Sequence, residues 1–399
     1  MSQGFLRNAL VLGLLQATGP LAIDTYLPAF PTIAEQLNTS TVAVQATLTA
    51  FLLGLTVMQV VYGPISDVVG RKPPLYFGLA LYGLSSIGCY FAPSSTWLIA
   101  CRLLQGIGAA SMMVIPRAIV RDLHTGIEAT RLMSLMMLVL NLSPIIAPLL
   151  GSILLTQFGW RILFIVFAIV SALCLFLIAV AQSETLPSTE RIAGNLRTVL
   201  SSYRQLLRDG HFLTITLVGA LASSCILIFL AGSSFVYINH FGLTPMQYSI
   251  AFAINGIALS GAAQFAAPLG QRYGLGNVLM GSVIGYAAVA TILLVALVAG
   301  IDSLAMLMAL LFVTFILIGL IMPVSMVLAL DRHGPIAGAA SAFAGAVQGV
   351  IGTLAMLLVG LLFDGTPLPM VAIIALSAIG ALVLVKFTGE GKKVIAPAE

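Results

Sequence analysis

Charge is what this sequence has least of: 8% of its 399 residues are Asp, Glu, Lys or Arg, against about 25% in an average soluble domain. With 60% hydrophobic residues and a mean hydropathy of +1.11, a water-soluble globule is excluded. Cysteine is scarce too. Cys89, Cys101, Cys174 and Cys225 each sit inside an apolar run, without metal-site spacing, and are expected to be packing residues. The histidines (His124, His211, His240, His333) fall at or near loops or span ends, and none pairs with an acid or cysteine at ligand spacing. Neither a zinc site nor a catalytic triad is suggested. No phosphate-cradling glycine loop is present, so nothing points to ATP as the energy source. The expectations are no cofactor, no metal and no enzymatic activity.

What the chain does have is apolar runs of 18 or more residues from end to end, each long enough to cross about 30 Å of hydrocarbon. They are placed at about 8–30, 44–65, 74–92, 96–119, 129–155, 160–182, 212–237, 247–269, 277–299, 303–328, 338–363 and 368–387. The first run is too long for a removable signal peptide and is like the others in kind. An all-α membrane protein of about twelve transmembrane helices is expected. Arg7, Arg71, Lys72, Arg121, Arg131, Arg191, Arg197, Arg204, Arg208, Arg272, Arg332, Lys386, Lys392 and Lys393 fall on one alternating side, and Arg161 alone on the other. By the positive-inside rule the basic side and both termini are cytoplasmic. The net charge of +4 therefore reports topology rather than nucleic-acid binding.

The single long polar connection divides the spans six and six, giving bundles at 1–183 and 212–399 joined by a cytoplasmic linker at 184–211. The halves carry a repeat. Gly63-Pro-Ile-Ser-Asp67-Val-Val-Gly70-Arg71-Lys72-Pro-Pro-Leu75 aligns without gaps on Ala267-Pro-Leu-Gly-Gln271-Arg-Tyr-Gly274-Leu275-Gly276-Asn-Val-Leu279, between the second and third spans of each half. The second copy keeps the turn but loses the acid and the base, Asp67 becoming Gln271 and Arg71 becoming Leu275. Parallel repeats with a midplane site between them are a recurrent transporter design.

Four segments carry a resemblance. They are Asp24-Thr-Tyr26-Leu-Pro28 in the first span, the Gly63 to Lys72 loop, Arg102-Leu-Leu-Gln105-Gly106-Ile-Gly108 in the fourth span, and Asn141-Leu-Ser-Pro144-Ile-Ile-Ala147-Pro148-Leu-Leu-Gly151-Ser152 in the fifth. Together they resemble the drug:proton antiporter branch of the major facilitator superfamily, in particular bacterial transporters of the Bcr/CflA type. Val68 stands where the family's loop is often basic, and Ala147 and Ser152 replace glycines of the fifth-span motif. The resemblance implies a two-bundle secondary transporter of the bacterial inner membrane, working as a monomer, that exports small amphipathic drugs such as phenicols, bicyclomycin-like compounds or sulfonamides in exchange for protons.

Residue roles follow from the membrane setting. Asp24 lies well inside the first span, where a carboxylate costs about 2.5–3.5 kcal/mol on insertion scales. It is the candidate proton carrier, with Pro20 and Pro28 on its face expected to kink the helix. Arg102, with Gln105 beside it, is either the counter-charge that tunes Asp24 or hydrogen-bonding glue between helices, and Arg117 is either buried or snorkelling at the cytoplasmic end. Arg71 paired with Asp122, together with Asp67, Gly63, Gly70 and Lys72, is expected to form an inner gate. Tyr26, Phe51, Asn141, Phe235, Tyr237, Asn255 and Gln348 are candidates to line the substrate path. A proton-coupled metabolite importer of the same fold is the alternative, and a membrane-embedded enzyme or receptor lacks the catalytic cluster or soluble domain it would need.

Overall fold

The computed structural model describes residues 3–123, 126–187, 203–333 and 336–387, which leaves Arg191, Arg197, Lys392, Lys393 and most of the expected linker outside the described residues. The side chains of Arg7, Arg131 and Asn141 are likewise outside them. The chain runs through α1 (Gln3–Asp24), α2 (Phe30–Gln36), α3 (Thr41–Val69), α4 (Lys72–Tyr90), α5 (Ser95–Leu123), α6 (Gly126–Phe158), α7 (Arg161–Ala181), α8 (Gly210–Ser234), α9 (Pro245–Tyr273), α10 (Leu275–Val298), α11 (Leu304–Leu330), α12 (Ala337–Leu362) and α13 (Leu368–Phe387). Helices are the necessary answer to such a sequence, because in hydrocarbon every backbone N–H and C=O has to be satisfied within the segment. Among the described residues ten stretches are long and apolar enough to cross a membrane. The remaining long helices, α4 and α6, bring the total to the expected twelve or so, α4 being diluted by Lys72, Tyr76, Tyr82, Ser85 and Ser86.

The described chain forms two compact units, one of residues 1–194 with 244–253 and the other of 195–243 with 254–399. In the first, helices approach through missing side chains rather than through hydrophobic driving force, which lipid tails do not supply. Gly106 on α5 lies against the carbonyl of Phe51 on α3, and a Cβ added to Gly54 would come 2.5 Å from the carbonyl oxygen of Leu103. At Gly108 an added Cβ would come 2.5 Å from the carbonyl oxygen of Gly78, which locks α4 to α5. In the second unit Gly319 lies against the carbonyl of Leu259 in the same manner.

The repeated loops share their backbone. Gly70 ends α3 with φ 99°, and the aligned Gly274 opens α10 with φ 82°, both in the left-handed region that favours glycine. Caps also mark the boundaries: Ser40 Oγ accepts from the backbone N–H of Ala43 at 3.2 Å, and Asp209 accepts from those of His211 at 2.9 Å and Phe212 at 3.2 Å. Asp209 is also 3.0 Å from His333 Nε2, and below this pair Leu206, Phe212, Ile215, Ala329 and Ala340 form a buried apolar cluster.

Two helices depart from simple spans. The seventh ends in a π-helical segment, Phe235–His240, a rare form that gathers at functional positions. The first, expected as one kinked helix, instead breaks: α1 stops at Asp24, a 3₁₀ turn covers Leu27–Ala29, and α2 resumes at Phe30. Pro28 gives the reason, since its ring conflicts with the carbonyl four residues back, which is that of Asp24, and it has no N–H to donate.

Candidate functional site

The break in the first span places Asp24 at a helix end deep within the first unit. Asp24 is 6% exposed, and Ser143 Oγ of α6 donates to its Oδ2 at 3.1 Å. That hydroxyl is its one hydrogen-bond partner among the described residues. An ionised carboxylate accepts at about four lone-pair sites, so one donor leaves it under-satisfied. The same helix closes on the break further along, where Gly151 lies against the carbonyl of Thr25.

Arg102 is fully buried and joins a different set of groups from the one expected. Its Nη1 donates to Gln105 Oε1 at 2.6 Å, and its two terminal nitrogens lie 3.5 and 3.4 Å from the carbonyl oxygen of Ala22. The guanidinium is held between two rings, 4.5 Å from the centroid of Tyr26 and 4.3 Å from that of Phe51, in the cation–π arrangement that Arg favours. Gln105 Nε2 passes the chain on to Ser86 Oγ at 2.7 Å, and Tyr26 Oη shares a hydrogen bond with Thr47 Oγ1 at 2.9 Å. No ion pair joins Arg102 to Asp24 among the described residues. Of the two expectations for Arg102, interhelical glue is the one its contacts match, and the counter-charge to Asp24 is absent in this conformation.

A second constellation gathers at the basic end of the same unit. Arg71 Nε and Nη2 grip Asp122 Oδ2 and Oδ1 at 2.8 and 3.2 Å, and Nη1 reaches Asp67 Oδ1 at 2.5 Å and Ser66 Oγ at 2.8 Å. This bidentate fork fits the planar geometry of guanidinium and carboxylate. Gly63 shapes the cluster from below, its carbonyl accepting from Ser66 Oγ at 2.8 Å, and Gly70 turns the chain into it. Two members were not singled out from sequence. Glu184, just after α7, accepts the backbone N–H of Arg71 at 2.9 Å and of Lys72 at 3.0 Å, capping α4, while Thr185 Oγ1 donates to Asp122 Oδ2 at 2.9 Å. Lys72 Nζ completes the clasp on the carbonyl oxygen of Gln182 at 2.8 Å. Burial raises the Glu184 pKa, but the four N–H donors of Arg71, Lys72, Leu186 and Thr185 outweigh it and hold the carboxyl below its ordinary range. The residue offered no motif; only its position at the mouth of the linker, opposite an uncapped helix start, hinted at it.

The other candidates separate by accessibility. Tyr26, Phe51, Phe235, Tyr237 and Asn255 are buried, Gln348 is half-buried, and the side chain of Asn141 lies outside the described residues. In this conformation the buried ones act as packing groups. Ser152, one of the departures in the fifth-span motif, has its Oγ 2.8 Å from the carbonyl oxygen of Pro245 and 2.5 Å from Ser249 Oγ, which lies 2.8 Å from the Pro148 carbonyl oxygen, so the two hydroxyl protons are divided among these three contacts. At the repeat position in the second unit there is, among the described residues, no ionic cluster but an apolar hollow of about 400 Å³, lined by Ala263, Gln271, Leu275, Pro323 and Val327 among others.

Comparison with known proteins bears on what these parts belong to. Residues 12–263 match the Major Facilitator Superfamily profile. The chain belongs to the major facilitator superfamily. It is 37% identical over 385 residues to a Bacillus subtilis protein named "Uncharacterized MFS-type transporter YdgK", covering 96% of this chain and 95% of that one. It is 30% identical to the Haemophilus influenzae "Bicyclomycin resistance protein homolog", covering 66% of this chain and 65% of that protein. Against "Multidrug resistance protein D" of Escherichia coli it is 32% identical, covering 66% of each. The match thus spans just under two thirds of the resistance proteins. Among solved structures, an inward-facing bacterial homologue of the human lysosomal transporter Spinster aligns with a TM-score of 0.75 at 14% identity over 100% of both chains. A D-xylose-proton symporter aligns at 0.71 with 17% identity, covering 96% and 98%. These likenesses carry the fold. The superfamily member described here is a multi-pass membrane transporter, not an enzyme.

Proposed function

We propose that this transporter exports small amphipathic drugs from the bacterial cytoplasm in exchange for protons, by alternating access of its two units. Its place is the inner membrane, with both termini cytoplasmic and the monomer as the working form. The kinship to proteins named for bicyclomycin and multidrug resistance supports drug export as the activity. One observation carries the coupling: Asp24 is buried at a helix break with, among the described residues, a single hydroxyl partner and no cation. A neutral acid costs far less to bury there than a carboxylate, so proton uptake and release at this group changes the free energy of the conformation that encloses it. Arg71, Asp67, Asp122 and Glu184 make the inner gate, stabilising the state in which they are assembled. A difference of about 1.4 kcal/mol between two states shifts their ratio tenfold, so a modest ion-pair cluster suffices.

Drug accumulation in a pump-deficient bacterium tests this, with the intact chain against Asp24→Asn across phenicols, cationic dyes and sulfonamides. Lower accumulation that vanishes with a protonophore and with Asp24→Asn is expected. Uptake stimulated by an inward proton gradient would instead identify an importer.

A further inference from the structure

Arg117 in the first unit is a cation with no carboxylate partner among the described residues. Arg117 lies within α5, six residues before its end at Leu123, and its side chain is exposed while Ile115, Pro116, Ala118, Ile119 and Val120 around it are all buried. It does not snorkel outward. With the Gln16 amide turned so that its oxygen faces α5, that oxygen accepts from Arg117 Nη2 at 2.9 Å and Nε at 3.0 Å. Gln16 is fully buried and stands eight residues beyond Asn8, where the apolar span begins. At 1.5 Å per residue that is about 12 Å inside the span. The guanidinium is therefore drawn inward along α1.

No carboxylate pairs with Arg117 among the described residues, since Asp67 and Asp122 are both committed to Arg71. Two of its five N–H donors serve Gln16, and three remain. One turn along α5 on the same face stands half-buried Met113, whose sulfur accepts from Gln59 Nε2 at 3.5 Å. Beside it a Cβ added to Gly63 would meet only Val114 Cγ1, at 3.9 Å, so the surface is loosely filled. A fixed planar cation with free donors, next to an apolar thioether and an amide, matches an amphipathic organic anion.

We propose that Arg117, braced by Gln16, is the point where this transporter recognises an ionised acidic group on its cargo. The inference rests on the drug-export reading and narrows it, placing acidic amphipathic compounds such as ionised aryl sulfonamides ahead of organic cations.

The test is calorimetric binding to the purified full chain in phosphatidylcholine nanodiscs at neutral pH, with and without added phosphatidylglycerol. The probes are an N-aryl sulfonamide that is ionised at that pH and its N-methylated neutral analogue. The intact protein is expected to bind the ionised probe about tenfold more tightly, the scale of one charge-assisted hydrogen-bonded contact. Arg117→Gln is expected to bring that ratio close to one, and Arg117→Lys to keep part of it, with melting curves confirming that each variant is folded. Equal binding of both probes by the intact protein overturns the proposal, as does a ratio that survives Arg117→Gln. Loss of bound phosphatidylglycerol in Arg117→Gln with the ratio intact also overturns it, because the cation would then serve a lipid phosphate. Cellular efflux of a neutral phenicol measures the export reading separately. Efflux without probe discrimination sinks the anion site alone, and discrimination without efflux sinks the export reading alone.

Discussion

Arg71 and Glu184 are joined through the backbone of the first and the carboxylate of the second, with the Arg71 N–H donating to Glu184 Oε1 at 2.9 Å. The bond ties the segment after α7 to the start of α4, so the chain leaving the first six spans is fastened to the cluster it leaves.

Removing that fastening has a pH signature. The Glu184 carboxyl is held below its ordinary range in the folded protein, so its stabilisation is complete above about pH 4.3 and is lost as pH falls through the lowered value. Glu184→Ala is expected to lower stability by about 1 kcal/mol, the scale of a helix cap. Melting temperatures of the two proteins should differ at pH 7 and converge in strong acid. A constant gap across that range would show that the carboxylate is not the stabilising group.

At Asp24 the exchange of one oxygen for nitrogen removes the titratable proton and keeps the shape. Asp24→Asn is expected to abolish protonophore-sensitive efflux, whereas Ser143→Ala, which removes a single donor at 3.1 Å, should shift its pH dependence with activity retained. Efflux against pH in everted vesicles reads both. Identical profiles for Ser143→Ala and the intact protein would mean the hydroxyl has no influence on the acid.

Arg102 is held by geometry as much as by charge. Arg102→Lys keeps the cation but loses the planar face between Tyr26 and Phe51 and the reach to Gln105, and is expected to cost about 1–3 kcal/mol. Thermal unfolding in detergent provides the measurement. A stability equal to that of the intact protein would reduce Arg102 to a point charge.

Two glycines separate packing from propensity. Gly106→Ala drives a methyl into the Phe51 carbonyl and is expected to destabilise by about 1–3 kcal/mol. Gly261→Ala meets nothing within 4 Å and should stabilise α9 slightly, by up to about 1 kcal/mol. Opposite signs in the two melting shifts are the expected result.

Much of this was legible beforehand because the membrane imposes it. The apolar runs became helical, since hydrocarbon offers the backbone no other partner, and the turn kept in both aligned loops is built on Gly70 and Gly274, each at positive φ. The pairing of Arg71 with Asp122 was suggested by opposite charges at the loop and at the inner end of the fourth span, and by the resemblance of the loop, and the two side chains do meet. What stayed hidden depended on side-chain direction. Nothing in the order of residues says that Arg102 turns to the Ala22 carbonyl and two rings rather than to Asp24, or that Arg117 reaches inward to Gln16. The break after Asp24 was half visible: Pro28 announced a disturbance, but a kink and a stop use the same residue. Glu184 sits in a stretch with no periodicity at all, and its contribution is made through backbone N–H groups that any residue would supply.

The matched turns at Gly70 and Gly274 also mean that duplication and function have parted company in this molecule. One copy holds an ionic lock, and the other holds vacant space of about 400 Å³ walled by Leu275 and Gln271. Shape has been inherited twice and chemistry once. On the gate proposed above, the bias between conformations would be written into a single loop, and the other would be a blank joint that could be charged by design to set that balance afresh.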